Sequence, residues 1–340
     1  MKKFEGYMHG VNLGGWFSQC DHSLERYDRF ITREDLEKIR ELGFDHVRLP
    51  IDYELLLAED GSYTEEGFVR IERCLSWCRD LGLRLVIDLH KTPGFSFDAG
   101  EHEDGFFEKE GYQKIFFGLW EKLAMRFGNE KDLCFELLNE VSEKRYAATW
   151  NSIAGKAIET IRPHAPKVPI LVGGYHNNSI EALEDLELPS DENIVYNFHF
   201  YAPLIFTHQG AYWIDKMKED FRMEFYSSYA RYEEYTKKYI GEDFDDHFPQ
   251  GEEIMDIAYF DDLFKKAAKV AKERGVALYC GEFGVIDRAD PKETLKWFEC
   301  MGKMFEKYGI CRCLWSYKEM DFGLIDPHYD TIRERILELI

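Results

Sequence analysis

Eight short apolar runs, most of them separated by stretches of helical periodicity, constrain this chain more than any other feature. They are YMHGVNLGG (7–15), FDHVRLPI (44–51), LRLVIDLH (83–90), LCFELLNE (133–140), VPILVGG (168–174), IVYNFHFY (194–201), VALYCGEFG (276–284) and CRCLWSY (311–317). Runs of this length, apolar or alternating, read as strands, and their alternation with helical patterns implies a parallel sheet. Parallel neighbours need crossover connections, and helices fit the gaps. Phe68, Ile71, Leu75 and Cys78 share one helical face, as do Trp297, Met301, Met304 and Phe305. Gly43, Gly82 and Gly275 stand where helices should stop.

Eight alternations of strand and helix predict a closed (β/α)8 barrel, the TIM barrel, as a single catalytic domain over residues 1–340. A doubly wound open sheet is the alternative, but no glycine-rich phosphate loop follows the first strand. Successive strand ends lie about 28 to 50 residues apart, except for a step of about 80 from Tyr201 to Glu282. The excess reads as a subdomain inserted after strand six, roughly residues 203–258. It fits a surface ornament and a wall or lid beside the site equally well, because that loop leaves the catalytic face of a barrel.

The formal net charge of −22 disfavours nucleic acid and anionic membrane as partners, since both need a positive surface. It is indifferent to neutral substrates, and aromatic residues, 16% of the chain, suit flat ligands such as sugar rings after core packing. No obligate protein partner is evident. No segment approaches the roughly 18 continuous apolar residues of a membrane helix. The amino terminus, MKKFEGYMHG, has no apolar run behind its lysines, which predicts a cytoplasmic protein unless a signal was removed. The eight cysteines fall mostly in strands or on apolar helix faces, without paired CxxC motifs, and are expected to be reduced structural thiols.

In barrels, chemistry sits at the carboxyl ends of the strands. Here those ends carry Asn12; Arg48; Asp88 and His90; Asn139 and Glu140; His199 and Tyr201; Glu282; then Trp315 and Tyr317. Only strand five, ending in Gly173 and Gly174, offers no obvious polar or aromatic group. Each polar group is costly to bury unless paired, so their recurrence at strand ends marks a site. Taken singly, Arg48 fits a structural ion pair, His90 and His199 fit satisfied core histidines, and Trp315 fits barrel packing. Glu136 alternates onto the face of Glu140 and reads as a deeper, paired structural carboxylate. Asn139 and Glu140 can both face the cleft only if the strand kinks or ends there.

Glu140 and Glu282 end different strands, and two carboxylates across a cleft suit glycosidic bond cleavage. One protonates the leaving oxygen while the other attacks the anomeric carbon or activates water. Arg48 beside one of them would keep it ionised, while the unpaired, desolvated one would hold its proton longer. A metal hydrolase reading of Asp88, His90 and His199 lacks both HxH and HExxH spacing. The chain is therefore expected to need neither metal nor organic cofactor. A carbohydrate-binding barrel without activity would need the aromatics but not both glutamates.

LLNE at the fourth strand end and GEFG at the seventh resemble glycoside hydrolase family 5. GVNLGGW (10–16), DHVRLP (45–50), DLH (88–90), NFHFY (197–201) and LWSY (314–317) match its other strand-end motifs in order. FELLNEV, IVYNFHFY, FTHQ, LYCGEFGV and KEMDF are most similar to the clostridial endoglucanase C type within that family. The resemblance implies a retaining endo-β-1,4-glucanase, with Glu140 as acid/base and Glu282 as nucleophile. It implies that Asn139 binds the sugar 2-hydroxyl and that Arg48 and Tyr201 hold Glu282. His90 and His199 would line the same subsite, Trp315 would be the sugar platform, and Trp213 an aromatic on the leaving-group side. Lys91 stands where many members carry His or Asn. Mannan or glucomannan hydrolysis and exo-β-1,3-glucanase action are the alternatives within the same family.

Overall fold

A computed structural model describes residues 1–98, 104–187, 191–241 and 248–340. Eight parallel strands close on themselves in sequence order. They are β1 (His9–Asn12), β2 (His46–Asp52), β3 (Arg84–Lys91), β4 (Leu133–Glu136), β5 (Ile170–Val172), β6 (Ile194–Phe200), β7 (Ala277–Phe283) and β8 (Cys311–Leu314). β8 returns to pair with β1, matching Gly10 to Cys313 and Val11 to Leu314. The expected (β/α)8 barrel is therefore observed.

The helices Glu65–Leu81 and Pro291–Tyr308 bury the predicted faces, Phe68, Ile71, Leu75 and Cys78 in one and Trp297, Met301, Met304 and Phe305 in the other. One connection departs from the strict alternation. Between β5 and β6 the described residues hold only a short turn at Tyr175–Asn178 and a 3₁₀ helix, Glu181–Asp185. Ala182, Leu183 and Leu186 are buried there, so a few apolar contacts cover the sheet without a full crossover helix.

Side chains point alternately into and out of the barrel. The lower interior is filled by Val86, Cys134, Leu171, Val195, Ala277, Tyr279, Cys311 and Cys313, and Phe4 and Tyr7 close the amino-terminal mouth. The rings of that pair stack at 4.2 Å. Two residues further along the strands the interior turns polar, with Asn12, Arg48, Asp88, Glu136 and Asn197 all fully buried. Alternation thus separates an apolar floor from a polar ceiling. All eight cysteines are free, and seven are buried.

Between β6 and the crossover helix Ile257–Arg274 the chain adds the single turn Leu204–Thr207 and the helix Tyr229–Tyr239. Aromatic packing fastens this segment: Phe225 stacks on Phe260 at 5.9 Å, and Tyr232 on Phe248 at 5.4 Å. Part of its acidic, aromatic stretch, residues 242–247, lies outside the described residues.

Candidate active site

Arg48 is the hub of the polar ceiling. Its Nε and Nη2 donate to the two carboxylate oxygens of Glu136 at 2.7 and 2.9 Å, a bidentate pair. Nη2 also donates to Asn139 Oδ1 at 2.8 Å and lies 3.0 Å from Asp88 Oδ2. Nη1 donates to Asn12 Oδ1 at 2.9 Å and to Glu282 Oε1 at 2.7 Å. A lysine could not serve these directions at once, because only the guanidinium fork is planar and multidentate. Glu136 also accepts from Asn197 Nδ2 at 2.8 Å, and it is fully buried. It is fixed as the deeper, paired carboxylate.

Glu282 reaches the cleft through a bulge. His199 pairs with Glu282 while Phe198 pairs with Cys280, so Gly281 is the extra residue. Tyr279 faces the interior, and without that insertion Glu282 would face outward. A side chain at Gly281 would come within 2.7 Å of Asn197 Oδ1. The bulged peptide is held by Gly281 N–H donating to Asn197 at 2.9 Å and by its carbonyl accepting from Asn12 at 3.0 Å. Tyr201 donates its hydroxyl to Glu282 Oε2 at 3.0 Å, opposite the Arg48 contact. Burial raises the Glu282 carboxyl, while His199 and Arg48 pull it back down.

Glu140 arrives differently. β4 stops at Glu136, four residues before the expected end, and Glu140 takes a φ of +42°. The strand end and this left-handed residue let Asn139 and Glu140 serve the same cleft, as alternation alone forbids. Asn139 N–H still donates to Leu89 O at 3.2 Å, which ties the departing chain to β3. Glu140 Oε1 lies 2.6 Å from His199 Nδ1, and Oε2 accepts from Asn177 Nδ2 at 3.0 Å. Burial pushes the Glu140 carboxyl up to about 7, against the pull of Asn177 and Arg48.

One carboxylate oxygen from each glutamate and a ring nitrogen of His199 lie within 4.8 Å of one another. Oxygens this close fall short of the roughly 6.5–9.5 Å that a pair working through an intervening water needs, and suit direct attack by one carboxylate. The grouping has the donor types of a metal site, but its cation is the buried guanidinium already bonded to Glu282.

Around this pair, Asn139 Nδ2 and His90 Nε2 are buried donors or acceptors without a partner among the described residues. His90 Nδ1 bonds Asp88 Oδ2 at 2.5 Å, and burial drives its pKa down to about 3, so the ring is neutral. Burial likewise lowers His199 to about 4. The His90 and Trp315 rings lie parallel at 6.0 Å. Trp315 is 7% exposed and packs with Ala211, Ile286 and Phe322, and Tyr201 and Trp213 flank the same cluster. Lys91 Nζ pairs with Glu54 Oε1 at 2.8 Å at the end of β3.

Strand five is not silent, contrary to the expectation from Gly173 and Gly174. The residues that follow it supply Asn177 to Glu140 and Asn178 to His199, the latter at 3.3 Å. The signal was the pair of asparagines three and four residues after Gly174, a residue type that tolerates left-handed backbone.

A family model described as cellulase (glycosyl hydrolase family 5) matches residues 8–321. Cellodextrinase A of Ruminococcus flavefaciens is 46% identical over 313 residues, covering 92% of this chain and 86% of that protein. Endoglucanase C of Acetivibrio thermocellus is 38% identical over 343 residues, covering 97% of each. Among solved structures, Thermotoga maritima Cel5A in complex with mannotriose superposes with a TM-score of 0.76 at 23% identity, covering 98% of this chain and 97% of the other. A hyperthermophilic endo-β-1,4-glucanase in complex with substrate gives 0.76 at 22% identity over 96% of each chain. These structural likenesses speak for the barrel.

Proposed function

The chain belongs to the cellulase family, glycosyl hydrolase family 5, and from that premise we propose that it is a retaining endo-β-1,4-glucanase with Glu140 and Glu282 as its catalytic pair. The observation that carries this reading is the pairing of two close carboxylates with opposite surroundings. Glu282, ringed by Arg48 and Tyr201, is the nucleophile, and Glu140, desolvated and remote from direct guanidinium contact, is the acid.

In the first step Glu140 passes its proton to the glycosidic oxygen while a Glu282 oxygen bonds the anomeric carbon. The bond to the leaving sugar breaks, and a glycosyl ester remains on Glu282. As the Glu282 charge is consumed, Arg48 keeps its bonds to Glu136, so the hub does not collapse. In the second step Glu140, now a carboxylate, takes a proton from water, and that water displaces Glu282 with net retention. Asn139 Nδ2, without a partner among the described residues, is the donor for the sugar 2-hydroxyl, where hydrogen bonds strengthen in the transition state. His90 and His199, both neutral, line the same subsite.

Trp315 offers a ring face to the sugar at the cleavage point. The described stretch of the insertion from Pro203 to Gly241 walls this side, with Trp213 as an aromatic on the leaving-group side. Its membership in Trp315's packing cluster supports that role. The substrate is a β-1,4-linked glucan, the chemistry shared by an endoglucanase and a cellodextrinase. Digestion of cellohexaose followed at once by proton NMR tests both halves of this proposal. Internal cleavage with the β-anomer appearing first is expected; a first-formed α-anomer would exclude double displacement, and release of glucose alone would exclude endo action.

A further inference from the structure

The loop after β5 carries three consecutive non-glycine residues with left-handed backbone, His176, Asn177 and Asn178, at φ of 48°, 56° and 58°. Such a run is sterically costly for L-residues and persists only where its surroundings enforce it. Here the N–H groups of His176 and Asn177 donate to Ser142 O and Val141 O, both at 3.1 Å. Those carbonyls belong to the two residues directly after Glu140. The loop therefore grips the Glu140 segment by its backbone, and it grips the carboxylate as well. Asn177 Nδ2 donates to Glu140 Oε2 at 3.0 Å. Asn178 Nδ2 lies 3.3 Å from His199 Nε2. Donation to Nε2 places the ring proton on Nδ1, which then donates to Glu140 Oε1 at 2.6 Å. Gly173 makes this possible, since a Cβ there would fall 2.1 Å from Asn178 Oδ1.

We propose that Asn177 and Asn178 are positioning residues for the acid/base: together they aim the Glu140 carboxyl and set how readily it holds its proton. The inference rests on reading Glu140 as the acid/base. Other charged and titratable groups bear on Glu140 from the strands around it: Arg48 from β2, Asp88 from β3, Glu136 from β4, His199 from β6 and Glu282 from β7. Tyr201, just past β6, faces it too. Alongside the neutral His199 ring, Asn177 is a neutral donor that favours the ionised form. Its removal raises the Glu140 pKa, and the protonated acid then survives to higher pH.

The decisive variant is Asn177→Gly, which keeps φ of 56° accessible while deleting the amide. The readout is kcat/KM against pH for phenyl β-cellobioside, which needs acid assistance, and for 2,4-dinitrophenyl β-cellobioside, which does not. The basic limb of the phenyl profile should move up by about one pH unit. Near pH 6 the phenyl substrate should lose about tenfold more than the dinitrophenyl substrate. A limb that stays in place, with both substrates falling in proportion, overturns the proposal. Asn177→Asp is the near-isosteric second variant; a carboxylate facing Glu140 Oε2 should move the limb further up, and an unmoved limb again overturns it. Failure of the underlying reading looks different: Glu140→Ala would then leave the wild-type ratio between the two substrates unchanged.

Discussion

The ends of β4 and β7 present the same side chain to one cleft by different means. On β7 the strand stays regular up to a one-residue bulge, and Glu282 meets a guanidinium at 2.7 Å and a phenol at 3.0 Å. On β4 the strand stops early, a left-handed residue turns Glu140 inward, and its partners are an imidazole and an amide. Both carboxylates are buried, so both resist ionising. What differs is the supply of formal positive charge. A carboxylate bonded to Arg48 stays an anion ready to attack, whereas one bonded to neutral donors stays poised near 7 to give and take a proton.

Removing each carboxyl in turn probes the difference most strongly. Glu282→Ala should lower kcat by about 10⁴-fold or more on every substrate, since no leaving group replaces a nucleophile. Glu140→Ala should cost about 10³-fold in kcat/KM on cello-oligosaccharides and far less on 2,4-dinitrophenyl β-cellobioside. Equal losses on both substrates in the second variant would erase the distinction between the two ends.

Next in size is Arg48→Met. It strips positive charge from Glu136, Asp88 and Glu282 together. Breaking a buried ion pair from one side costs about 3–5 kcal/mol, so a large fall in Tm is expected beside lost activity. An unchanged Tm would show that the hub is not what holds the polar ceiling.

The pH profile separates the two ends without mutation. Glu140 must be protonated in the first step, so kcat/KM should fall as pH rises through about 7. Glu282 must be ionised, so the acid limb belongs to it and should move up in Tyr201→Phe, which removes a donor to the charged form. An acid limb unmoved in that variant would separate Tyr201 from the charge of Glu282. The smallest effect is on stability. A carboxyl whose folded pKa is raised binds more protons folded than unfolded, so it costs stability as pH climbs from about 4.5 to about 7. Glu140→Gln should therefore be more stable than the wild type at pH 8, by up to about 3 kcal/mol, with the gain shrinking towards pH 5. Equal melting at both pH values would remove the desolvation argument for Glu140.

The barrel was legible because eight short, largely apolar runs alternate with helical periodicity, and the polar groups gathered toward their carboxyl ends then mark one mouth. Strand boundaries were less so: Leu137 and Leu138 are as apolar as the strand before them, yet β4 ends at Glu136. Arg48 and Tyr201 were legible as polar groups of the strand runs, but as the companions of Glu282 only through the family resemblance; Arg48 in fact lies early in β2, four residues before its end. The bulge at Gly281 was not legible, since alternation in CGEFG leaves open whether Gly281 or Glu282 faces inward. Asn177 and Asn178 were not legible as partners either. Their reach depends on three left-handed residues, a backbone choice that leaves no periodicity in sequence.

In this mechanism Glu282 is the residue that carries the sugar. Incubation with a 2-deoxy-2-fluoro β-cellobioside bearing a good leaving group, followed by intact mass and peptide mapping, tests it directly. One fluorosugar adduct on the peptide containing Glu282, formed with loss of activity, is predicted. An adduct on Glu140 would reverse the roles of the two strand ends, and turnover without any adduct would contradict a covalent intermediate.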